Sequence, residues 1–83
     1  MLSLEEALRT ALDDEYRARA TYRAILDRFG EVRPFSNIVA SEQRHIEALL
    51  GLFERHGFEV PEDAWSSRVE APASLADACA AAV

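Results

Sequence analysis

Two stretches in which apolar residues recur every three or four positions, separated only by Gly30, three residues and Pro34, leave this chain little choice of fold. Such spacing puts a broad apolar stripe on one face of a helix, and each stripe must be covered. A link this short brings two helices back alongside each other, so the pattern predicts an antiparallel all-α hairpin.

The first helix is predicted over residues 4–29. Ser3 and Glu6 have capping-box spacing, which lets the serine oxygen and the glutamate carboxylate satisfy backbone donors left open at a helix start. Its stripe is Leu4, Leu8, Ala11, Ala18, Tyr22, Ile25 and Phe29, widened by Leu12 and Leu26. Glu15 fills the gap in that series, while Arg9, Asp13, Arg17, Arg23 and Asp27 take the other faces. Gly30 is the stop. The second helix is predicted over residues 34–56, with Pro34 in its first turn and Gly57 as its stop. Its stripe reads Phe35, Ile38, Glu42, His45, Leu49, Leu52 and His56, flanked by Val39, Ile46 and Phe53. Residues 57–73 carry Pro61, Pro72, a cluster of acids and a serine pair; they read as a connecting segment, with Trp65 placed to anchor it. Ser74 and Asp77 repeat the capping pattern before a short helix at 75–83, carrying the stripe Leu75, Ala78, Cys79, Ala82 and Val83. The whole is read as one domain, with a core near the size at which burial barely offsets chain entropy.

Composition narrows the function classes. A net charge of -6, from 15 acidic and 9 basic residues, argues against a nucleic-acid or anionic-membrane surface and suits a protein that meets cations. All the basic residues are arginine. The lone Cys79 excludes an internal disulfide framework and a cysteine zinc cluster. The first residues lack a basic region followed by an apolar run, and no segment reaches membrane-spanning length, so a cytoplasmic location is expected.

The residues that carry chemistry interrupt the stripes. Glu42 and His45 share a helix face at i, i+3, and a carboxylate and an imidazole among Ile38, Leu49 and Leu52 need compensation, most often a metal ion. Glu15 alone reads as a carboxylate that reaches water or pairs with Arg19. With Glu42 and His45 it becomes a third ligand, because Glu15 lies roughly 21 Å from the end of its helix and the pair roughly 12 to 17 Å into theirs. His56 lies roughly 16 Å beyond His45, too far for the same centre, and reads as a last-turn partner of the helix dipole. Tyr22 and Arg19 are weaker candidates for supporting hydrogen bonds to the ligands. Cys79 reads as a packing residue.

The stretch Asp14-Glu15-Tyr16-Arg17-Ala18-Arg19, followed by Phe35 through His45, resembles the first hairpin of ferritin-like di-iron carboxylate proteins, and most of all a bacterial ferritin-like domain family of uncharacterised function. The resemblance covers about residues 4–65. It implies two iron ions, oxidation of Fe(II) by oxygen or peroxide, and iron storage or detoxification. Full-length members carry a second hairpin with another glutamate and another Glu-x-x-His, whereas Ser74 to Val83 reads as the start of that half, cut before its ligands. The chain therefore reads as a natural half-ferritin or a truncated product. Two copies about a two-fold axis would supply four glutamates and two histidines, completing a four-helix bundle and a di-iron site. Encapsulated ferritins are similar in building sites between half-length hairpins, though no capsid-targeting tail is evident here. Carboxylate and imidazole ligands also admit manganese or zinc. The non-enzymatic alternative is a helical interaction module in which the polar seam residues set register.

Overall fold

The computed structural model describes residues 3–30, 33–66 and 68. The expected helix at 75–83, Cys79 and the end of the connecting segment lie outside these residues. Two helices, α1 (Leu4–Phe29) and α2 (Phe35–His56), pack against each other, and no strand occurs among the described residues. The capping box forms as its spacing predicts: the Glu6 N–H donates to Ser3 Oγ at 3.1 Å, and the Ser3 N–H donates to Glu6 Oε1 at 3.3 Å. No described helix is long and apolar enough to cross a membrane.

Pro34 precedes the first turn of α2 and does not join it. Its ψ of 0° lies off the helical value, so Phe35 is the first helical residue. The Arg33–Pro34 bond is cis. At the far end, α2 closes with a Schellman arrangement. Gly57 adopts φ 68°, ψ 26°, a left-handed conformation that strains any residue with a Cβ. Its N–H donates to the Glu54 carbonyl, and the next N–H, of Phe58, donates to the Phe53 carbonyl at 3.0 Å. The Phe58 ring then meets the edge of Phe53 at 6.4 Å, supplying the apolar contact that accompanies this cap.

Packing turns the buried line toward one flank of each expected stripe, keeping Leu8, Leu12, Ile25, Phe35, Ile46 and Phe53 buried and adding Tyr16 and Ala20. On α1 the buried line is Leu8, Leu12, Tyr16 and Ala20 at four-residue spacing, followed by Ile25, while Leu4 is exposed. On α2 the buried residues are Phe35, Ile46 and Phe53, so the expected flanks Ile46 and Phe53 form the centre of the stripe. His45 and His56 are exposed. The core is consequently split. Leu8, Leu12, Tyr16, Ile46 and Phe53 make one cluster with Leu49, Leu50, Leu52, Phe58 and Trp65 against it; Ile25 and Phe35 make the other, with Tyr22, Leu26, Phe29 and Ile38. On α1 the break falls between Tyr16 and Tyr22, past Glu15, and on α2 between Ile38 and Ile46, where Glu42 stands.

After Gly57 the chain turns back along α1 as an extended strap. Arg9 donates to the Glu59 carbonyl at 3.2 Å, Tyr16 Oη to the Pro61 carbonyl at 3.3 Å, and Trp65 Nε1 to Asp13 Oδ1 at 2.9 Å. Trp65 does anchor the segment, and the Arg17 and Arg68 guanidinium groups lie 5.4 Å and 5.7 Å from its ring centre. Arg19 pairs with Asp63 at 3.0 Å, both side chains being largely shielded from solvent. Burial alone would raise the Asp63 carboxyl, but bonds from the Trp65 N–H, Arg19 and the Ser66 hydroxyl, together with the Arg19 charge, hold it below its ordinary 3.8. Burial pushes the Tyr16 phenol above its ordinary 10.0 against the pull of Arg19, with Asp63 adding to the rise.

These shifts bound the strap's stability from both sides. A lowered carboxyl pKa contributes stability that is present above 3.8 and lost as pH falls through the folded value. A raised phenol pKa contributes stability that is present below 10.0 and lost as pH rises through the folded value. The emission of Trp65, the chain's single tryptophan, should therefore move to the red below the first limit and above the second, while the far-ultraviolet helix signal persists. An emission unchanged well below pH 3.8 would show that Asp63 does not hold the strap.

Candidate metal centre

The hairpin brings Glu15 from the middle of α1 against Glu42 and His45 from α2, and one ligand atom of each lies within 4.8 Å of the others. The four-residue buried line of α1 places Glu15 at the edge of the helix contact, beside Tyr16 and one turn before Arg19. Glu42 takes the corresponding place on α2, one turn before the fully buried Ile46. His45 Nδ1 lies 3.5 Å from Glu15 Oε2 and 3.9 Å from Glu42 Oε2.

Burial is graded across the three. The Glu42 side chain is 17% exposed and Glu15 26%, whereas His45 is 56% exposed. The two carboxylates sit within the hairpin and the imidazole closes the solvent side. Both Glu15 Oε2 and Glu42 Oε2 are shielded from solvent and have no hydrogen-bond partner. Buried oxygens are ordinarily satisfied, and like charges this close repel with little water to screen them. A divalent cation answers both demands, because it supplies the positive charge and takes two carboxylate oxygens and an imidazole nitrogen as ligands. An imidazolium at His45 would offset only one of the two charges.

Arg19 is the cation that the α1 sequence offers to Glu15, four residues earlier, and it is engaged elsewhere. Its Nη1 donates to Gln43 Oε1 at 2.8 Å and its Nη2 to Asp63 Oδ2 at 3.0 Å, with the guanidinium 5.3 Å from the Tyr16 ring centre. It thus ties α1, α2 and the strap together and leaves Glu15 uncompensated. Tyr22, the other expected supporting residue, packs its ring against Phe35 at 6.2 Å in the second apolar cluster. His56 lies in the last turn of α2, about three helical turns beyond His45, and stacks on Phe58 at 5.5 Å.

Sequence reasoning missed Tyr16, Gln43 and Asp63, which position Arg19. Asp63 carried a readable signal, since an aspartate two residues before a backbone donor and three before a serine suits a local turn. The Trp65 N–H donates to Asp63 Oδ1 at 2.9 Å and Ser66 Oγ to Oδ2 at 3.0 Å. Gln43 carried no such signal.

The fold and the site together define an α-helical hairpin protein with a part-buried carboxylate–imidazole cluster at its centre. The chain matches the family described as "Uncharacterized protein domain (DUF2202)" over residues 5–70, and it belongs to that family. No curated protein and no solved structure matches it.

An unpartnered carboxylate at a break in an apolar core costs stability. Glu42→Leu should stabilise the metal-free protein by about 1–3 kcal/mol, read as a higher urea midpoint, since it removes a desolvated acceptor. An unchanged or lower midpoint would mean that Glu42 is already satisfied.

Proposed function

We propose that the chain is a ferritin-like protein that binds iron through Glu15, Glu42 and His45 and oxidises Fe(II), the site being shared between two copies. The observation that carries this reading is the pair of shielded, unpartnered carboxylate oxygens facing one imidazole nitrogen across the helical hairpin. Acid–imidazole sets of this kind hold iron, manganese or zinc, and iron is the one of these whose oxidation would make the protein an oxidoreductase. Each Fe(II) gives up one electron; dioxygen takes a pair with two protons to become hydrogen peroxide, or peroxide takes them to become two waters.

The chain's own residues supply charge and position. Two glutamates match the charge of one divalent ion per chain, with Glu42, the more buried, as the ligand to be shared between ions. His45 orients its nitrogen inward while its exposed ring marks the side from which ions arrive. Three ligands leave such an ion half coordinated, and a second hairpin would supply the rest. Two observations support that pairing. Ala11, Ala18 and Tyr22 of α1 are only partly buried within one hairpin, and a cavity of about 380 Å³ lined by Asp14, Arg17, Ala18, Thr21 and Tyr22 opens beside them. The small alanines allow a close approach by another helix.

Fe(II) mixed with the protein in air should give ferric absorbance faster than buffer does, and Glu42→Ala should abolish the difference. A rate indifferent to that substitution would sink the proposal. Sedimentation should find an even-numbered oligomer with one metal per chain, shifted toward monomer and to lower melting temperature by a chelator. A monomer that keeps its metal would overturn the sharing, and a protein indifferent to chelator would favour the metal-free interaction module.

A further inference from the structure

We infer that Asp63 of the strap is a positioning residue for the metal centre: by drawing the Arg19 guanidinium away from Glu15, it keeps that carboxylate free for a cation. The inference rests on the metal reading of Glu15, Glu42 and His45 proposed above.

Glu15 and Arg19 stand four residues apart on α1, with the acid on the N-terminal side. That order is the favourable one for an ion pair on a helix surface. Left to α1 alone, Arg19 would neutralise Glu15. In the folded chain it does not, and Glu15 Oε2 has no hydrogen-bond partner. The guanidinium is instead forked between an amide oxygen of α2 and a carboxylate of the strap, at 2.8 Å to Gln43 Oε1 and 3.0 Å to Asp63 Oδ2, and stacked near Tyr16.

Of these partners only Asp63 is charged, and its carboxylate is itself fixed by the Trp65 N–H and the Ser66 hydroxyl. A rigid, largely shielded anion outcompetes Glu15 for the cation. The neutral Gln43 sets direction, and the charge of Asp63 supplies the pull. Since a bound arginine and a bound metal would compete for the same carboxylate, the strap raises the cation affinity of a site that it does not line. Asparagine at position 63 keeps the size and the oxygen that accepts from the Trp65 N–H, but removes the charge.

Metal-free crystals of the Asp63→Asn protein should show the Arg19 guanidinium on Glu15. Calorimetric titration with Mn2+ alone should show affinity reduced by about tenfold to a hundredfold, the range by which groups supporting metal ligands act. The double variant Asp63→Asn, Arg19→Gln should recover wild-type affinity, and Arg19→Gln by itself should leave it unchanged. Arg19 remaining on Gln43 in the Asp63→Asn crystals, or a double variant as weak as Asp63→Asn, would overturn the inference. A single Arg19→Gln protein that binds Mn2+ much more tightly than wild type would also overturn it, because Arg19 would then already be masking Glu15; this holds even if Asp63→Asn fails to fold. Should wild type take up no Mn2+, the metal reading falls, while the place of Arg19 in the metal-free crystals still decides what Asp63 does.

Discussion

Two carboxylates meet across a helical hairpin, each with an oxygen shielded from solvent and without a hydrogen-bond partner, and His45 Nδ1 lies 3.5 Å from one and 3.9 Å from the other. The apolar core divides into one cluster about Leu12 and Phe53 and another about Ile25 and Phe35, with Glu42 standing between them on α2. Each cluster is small for the helices it holds together. The capping box at Ser3, the Schellman close at Gly57 and the strap along α1 strengthen the ends and one side of a hairpin whose centre works against association.

Arg19 decides what that charge is worth. A cation lying one turn from a carboxylate on the same helix would ordinarily be its partner. Here the strap and Gln43 hold it from the other side, so Arg19 fastens three parts of the chain while Glu15 keeps an oxygen without a hydrogen-bond partner. The same group therefore serves packing and electrostatics. This pattern is the one expected where a protein carries local frustration at a binding site and offsets it with contacts elsewhere.

The two helices, the cap at Ser3 and the meeting of Glu15 with Glu42 and His45 were legible in the sequence, because each depends on spacing along a single helix or on two helices of matched length. What spacing cannot supply is the rotation of one helix against another. Counting at threes and fours gave a stripe centred on His45 and Leu52, whereas packing against Leu12 and Tyr16 selected Ile46 and Phe53 and left His45 on the rim. Arg9, Asp13 and Arg17, assigned to the solvent faces, turn out to receive the strap; their partners lie about fifty residues away and leave no periodic trace. Arg19 illustrates both limits, since helical spacing pairs it with Glu15 and tertiary structure pairs it with Gln43 and Asp63.

The strap has a consequence for the order in which the molecule assembles. Its contacts join residues 44 to 52 positions apart, whereas the helix contacts nearest the turn, such as Ile25 with Phe35, close much smaller loops. Loops close at an entropic cost that grows with their length, which favours the packing near the turn ahead of the strap. Because Asp63 belongs to that long-range set, the contact that holds Arg19 apart from Glu15 carries a larger closure cost than the packing of the helices near their turn.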